Sequence, residues 1–186
     1  RQAGMSAQPQ DMMLPHVAYI YHNKLDMAES IQALLTTYGC PSTLISGDQV
    51  ATTAFDTYDL VVIGSDTGYL NVWADEQNVA VVRDSGKPVV GMGNGGYWYF
   101  GQLGLMIGRP NGARGNGSAI EPVDPNHPLF SAPYSIDIPQ DGVLELSAET
   151  KNAVIYLYPV PENVNAFGQD AGNPGYYPLV LERDLY

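Results

Sequence analysis

Cysteine, basic residues and long apolar runs are all scarce in this chain of 186 residues. Its single cysteine, Cys40, permits no internal disulfide and leaves the redox state of the compartment undefined. Lys and Arg number 8 against 20 Asp and Glu, a formal charge of −12, and the basic residues nowhere gather into a stripe. Such a balance repels polyanions, so nucleic acid is not an expected partner, and an anionic membrane surface is disfavoured for the same reason. No apolar run approaches the ~20 residues that a membrane-spanning helix needs, so membrane insertion is not expected. The three histidines, His16, His22 and His127, form no two-histidine metal motif, and neither a metal nor a cofactor is expected. Heptads and internal repeats are missing too, which excludes coiled-coil and solenoid architectures.

What is present suits a globular protein rich in loops. Hydrophobic residues make up 45% and charged residues 15%, with 20 Gly and 14 Pro, enough apolar surface to pack a core. The length fits one domain. Residues 1–14, including "RQAGMSAQPQDMM", read as a polar linker, and residues 15–186 as a single domain. The start at Arg1 without a charged and apolar leader suggests a processed fragment or part of a longer chain. Few Lys, many Asn, Gln, Tyr and Pro, and the acidic balance together favour a secreted or cell-surface setting.

The first hundred residues alternate between two periodicities. "HVAYIYHN" (16–23) is a short apolar run of strand character, and "LDMAESIQALLTTYG" places Met27, Ile31, Leu34, Leu35 and Tyr38 at helical spacing before Gly39. "STLIS" (42–46), "YDLVVIGS" (58–65) and "KPVVGM" (87–92) read as further strands, while "DEQNVAVVRD" (75–84) and "GYWYFGQLG" (96–104) read as helices. Unbroken apolar centres such as Val61-Val62-Ile63 belong to strands buried on both faces. The pattern predicts an α/β fold with a doubly wound, parallel, flavodoxin-like sheet flanked by helices. Residues 106–125 read as loop with one short strand near 118–121, and "GVLELS", "NAVIYLYP", "NVNAFGQD" and "YYPLVLE" add a β-rich C-terminal portion without helical spacers.

The stretch "KPVVGMGNGGYWYFGQLG" (87–104) joins a strand to a helix through glycines. Gly91, Gly93 and Gly96 spell G-x-G-x-x-G, but the turn follows the fourth predicted strand and no acid follows about twenty residues on. Dinucleotide or flavin binding is therefore the last of three readings. The same letters place Gly93 at the centre of a G-x-nucleophile-x-G elbow, where it offers no side chain.

This segment resembles the nucleophile elbow of class I glutamine amidotransferase-like domains. Lys87-Pro88-Val89-Val90-Gly91 matches the strand, Gly93 the position of the catalytic cysteine, and Leu103-Gly104 the helix end. "FDTYDLVVIGSDTGY" (55–69) is similar to the preceding strand and oxyanion loop, and "DPNHPLF" (124–130) to a segment of wider relatives. The resemblance spans roughly residues 16–130. It implies the fold, but no catalytic group carries over: Cys40 precedes the second strand, and the late His-x-Glu pair has no counterpart because every histidine lies before residue 128.

The expectation is thus a degenerate, non-catalytic module for binding or assembly within a larger protein, its partners other domains or protein subunits, with homo-oligomers included. Its candidate ligand crevice comprises His22, Ser65, Asp66, Gly93, Asn94 and Gly95. Four successive aromatics, Tyr97, Trp98, Tyr99 and Phe100, cannot all face one core, so one or two are expected to be exposed or at an interface. The alternative is a hydrolase acting through His22, Asp66 and Asn94, with elbow N–H groups as an anion hole. Ser65 and Ser46 lack the flanks of a serine elbow, His127 before Pro128 reads as local structure, and Asp75-Glu76 as a helix start. No spacing singles out a glycosidic carboxylate pair, and Asn116-Gly117-Ser118 is a glycosylation sequon.

Overall fold

The computed structural model describes residues 14–68, 72–115, 117, 119–131, 135–145 and 154–182. The predicted linker therefore lies almost wholly outside the described residues, as do Asn116 and Ser118 of the sequon. Four strands, β1 (Val17–Tyr21), β2 (Ser42–Ser46), β3 (Leu60–Ile63) and β4 (Val89–Gly91), pair in the order β2-β1-β3-β4, all parallel. Helix α1 (Leu25–Thr37) links β1 to β2, α2 (Glu76–Asp84) precedes β4, and α3 (Gly93–Gln102) follows it. This is the flavodoxin-like arrangement.

Two apolar clusters explain the strands' lack of alternation. Ala18, Ile20, Val61 and Ile63 meet Trp73, Val79, Val82 and Tyr99 on one face. Val17, Tyr19 and Val62 meet Ala28 on the other, with Ile31 and Leu35 of α1 packed against them. A central strand must bury both sets of side chains, so both parities are apolar. Helix α1 stops where Gly39 takes φ +77, a left-handed conformation that glycine adopts without a Cβ clash. At α2 the Asp75 carboxylate accepts from the Gln77 N–H at 2.8 Å, the helix start anticipated for Asp75-Glu76.

The later residues build antiparallel structure. Strands β5 (Ala113–Gly115), β6 (Ala119–Pro122), β7 (Leu144–Glu145), β8 (Val154–Tyr156), β9 (Val164–Asp170) and β10 (Leu179–Glu182) form a sheet ordered β10-β9-β6-β7 and a β5-β8 ribbon. Strand β5 corrects the reading of its segment as loop. Its pairing with β8, some forty residues away, supplies hydrogen bonds that local composition does not reveal. Buried Asp170 closes β9 by accepting from the Gly172 N–H at 3.0 Å and the Asn173 side-chain amide at 2.9 Å.

Candidate functional site

Only Met92 separates β4 from α3, so the strand-to-helix turn is as tight as an elbow. The helix starts three residues earlier than the sequence suggests. The Met92 N–H donates to the Ile63 carbonyl at 2.9 Å, continuing the ladder, and its own carbonyl accepts from Gly96 at 3.2 Å, opening the helix. Gly93 takes φ +48 at that corner and is exposed. An L side chain would be strained there, and its Cβ would lie 3.2 Å from the Ser65 Cβ.

The surrounding glycines let main chain touch main chain. A Cβ on Gly95 would overlap the Gly64 carbonyl oxygen and the Thr67 hydroxyl, one on Gly68 would sit 2.8 Å from the Asn94 carbonyl, and one on Gly96 would sit 2.5 Å from Gly91. The first turn of α3 therefore lies directly on the loop after β3. That loop is locked from beneath: the Thr67 hydroxyl donates to the Gly64 carbonyl at 2.8 Å and accepts from the Trp73 indole N–H at 2.9 Å, with Thr67 and Trp73 both buried. Sequence reading passed over this lock. Its one signal is Trp73, whose indole N–H requires a partner once buried.

Asp66 and His22 do meet, though through the backbone of His22 and not its ring. One Asp66 oxygen, Oδ2, accepts from the N–H groups of His22, Asn23 and Lys24 at 3.0, 2.9 and 2.9 Å. These donors lie between β1 and α1, at the positive end of a helix whose own N-cap residue, Lys24, forms no side-chain cap. Asp66 thus caps α1 from a neighbouring strand's loop, and this occupied position is the crevice where β1 and β3 diverge, the usual ligand position in an open α/β sheet. Tyr19 beneath has its phenol pushed above 10.0, chiefly by burial and secondarily by the Asp66 charge.

Other candidates fall elsewhere. The His16 N–H donates to Asp59 at 2.8 Å and its ring lies 4.7 Å from Tyr58, at the opposite end of β1. His127 belongs to the antiparallel half, where Nδ1 accepts from the Leu129 N–H at 3.1 Å, a local structural role. Tyr99 is buried edge-on to Trp73 at 4.9 Å and Phe100 packs on Tyr99 at 5.6 Å, while Tyr97, Trp98 and Phe100 are half-buried. None of the four rings is fully exposed, and three of them keep part of their surface open. The chain after α3 folds back over them: the Arg109 N–H donates to the Tyr97 carbonyl at 3.0 Å, and the Arg109 guanidinium lies 4.1 Å from the Trp98 ring centre. Among the described residues, no three His, Cys, Asp or Glu side chains gather into a metal-binding group, and no helix is long and apolar enough to cross a membrane.

No protein-family model matches the sequence, and no curated protein matches it. Solved structures do resemble it. A Thermoplasma acidophilum protein, provisionally assigned as one subunit of a GMP synthase, overlaps with a TM-score of 0.58 at 12% identity, covering 93% of this chain and 84% of that one. The chain has the glutamine amidotransferase-like fold. The structure of SMU.1228c matches this chain with a TM-score of 0.50 at 11% identity, over 82% of this chain and 67% of the other. A glutamine amidotransferase of Thermotoga maritima gives 0.49 at 14%, over 89% and 70%. At these identities the likeness speaks to fold alone. Within the amidotransferase-like fold, the corner between β4 and α3 is occupied here by Gly93.

Proposed function

We propose that the chain is a non-catalytic, amidotransferase-like module that serves binding or assembly within a larger secreted or cell-surface protein. The observation that carries the reading is Gly93 at φ +48: the corner keeps the backbone conformation of an elbow and has no reactive atom. The hydrolase alternative loses support because the Asp66 oxygen it would need already accepts three backbone N–H groups. A side chain engaged in this way holds the loop between β1 and α1. Dinucleotide or flavin binding is disfavoured on the same ground, since Asp66 brings negative charge to the switch point where a phosphate would sit. Half-buried Tyr97, Trp98 and Phe100 belong to the surface proposed to meet a partner.

The decisive test is turnover. Purified protein incubated with glutamine, simple amides and activated esters is expected to release ammonia or acid no faster than buffer. Turnover abolished by His22→Ala would overturn the proposal. Light scattering and capture with flanking domains of the same gene product then test assembly, and fractionation of producing cells tests location.

A further inference from the structure

The segment "DPNHPLF" contributes nothing to the elbow, yet it shapes a groove of about 370 Å³ on the antiparallel half. Among the described residues, Asp124, His127, Val164, Asn165, Ala166 and Phe167 line it. The turn is fixed to β9 by the Val123 N–H, which donates to the Phe167 carbonyl at 2.9 Å. Within the turn, Asp124 Oδ1 accepts from the Asn126 N–H at 2.9 Å, and the Asp124 carbonyl accepts from the His127 N–H at 3.1 Å. The His127 Nδ1 accepts from Leu129, so the neutral ring carries its proton on Nε2 and is a donor there. The Asn165 side chain makes no hydrogen bond among the described residues and supplies both a donor and an acceptor.

We propose that this groove binds a neutral polyhydroxylated ligand, a saccharide ring. Each sugar hydroxyl donates and accepts at once, and the groove offers a carboxylate acceptor, an imidazole donor and an amide of both kinds. Half-buried Ala166 and Phe167 supply apolar contact for the C–H groups of a sugar ring, over buried Val164. The volume lies near the low end of the roughly 300–1,000 Å³ usual for small-molecule sites, the right scale for one or two rings. Among the described residues no Lys or Arg lines the groove, so an anion would find no countercharge from them and would face the chain's −12. A cation would find one carboxylate but no open aromatic cage, because the His127 imidazole already lies 4.8 Å from the Phe167 ring.

The test is titration of the ¹⁵N-labelled full chain with methyl glycosides of glucose, galactose, mannose, xylose and N-acetylglucosamine, followed by amide chemical shifts. At least one glycoside is expected to shift the amides of residues 124–127 and 164–167 saturably, in the millimolar range. Asn165→Ala, which removes a side chain that anchors nothing else, should weaken that binding about fivefold, the scale of one hydrogen bond, without moving the unfolding midpoint. Asp124→Asn, which keeps an oxygen for the Asn126 N–H, should weaken it as well. The proposal is overturned if no glycoside shifts these amides, if both variants bind as tightly as the parent, or if ethylammonium shifts them where no glycoside does.

Discussion

Replacing Asp66 with alanine removes a carboxylate of which one oxygen serves three donors, the N–H groups of His22, Asn23 and Lys24. A hydrogen bond to a charged group contributes roughly 1.5–3 kcal/mol, so a simple sum would reach about 4.5–9 kcal/mol. That sum overstates the loss, because Asn23 and Lys24 are exposed and water can take up their N–H groups. The His22 donor is partly buried and is the one left least satisfied. A net cost of about 2–3 kcal/mol follows, which for a chain of this size lowers the melting temperature by roughly 4–12 °C. Asp66→Asn keeps an oxygen in place and loses only the charge, so it should cost about 1 kcal/mol. Urea unfolding followed by Trp fluorescence measures both. Should Asp66→Ala unfold within about 0.5 kcal/mol of the parent, the scale of an ordinary surface change, or Asp66→Asn cost as much as alanine, the capping role assigned to this carboxylate is wrong.

Gly95→Ala forces a methyl group onto the Gly64 carbonyl, a main-chain atom that cannot swing aside; a loss of about 3 kcal/mol or more is expected in the same unfolding assay. Gly93→Ala meets left-handed backbone but only a side-chain neighbour, so its cost should stay near 1–2 kcal/mol, well below that of Gly95→Ala. Asp170→Ala leaves the Gly172 N–H and the Asn173 amide without their acceptor at the close of β9 and should cost about 2 kcal/mol, with faster amide exchange in β9 and β10. Tyr19 has its folded pKa raised above 10.0, so the folded state holds its proton more tightly than the unfolded chain does. Its contribution is complete below pH 10.0 and is lost as pH rises through the higher folded value, so Tyr19→Phe should show a shallower fall in stability than the parent across that alkaline window.

The sequence by itself determined the parallel half. Uninterrupted apolar runs can satisfy their side chains only when buried on both faces, and runs of helical spacing between them leave few alternatives to a doubly wound sheet, so β1 to β4 and α1 to α3 were legible within a few residues. Gly93 at the corner was legible as well, because an elbow demands small residues at fixed spacing and the centre of this one has no side chain. Tertiary structure decided what depends on partners far apart in the chain. Strand β5 pairs with the distant β8, and residues 105–109 fold back on α3, with the Leu105 N–H donating to the Phe100 carbonyl and the Arg109 N–H to the Tyr97 carbonyl. The role of Asp66 depends on donors more than forty residues earlier, in a loop after a different strand. Local composition records which residues prefer a turn, a strand or a helix, but a hydrogen bond between loops is fixed only when the sheet brings the ends of β1 and β3 side by side.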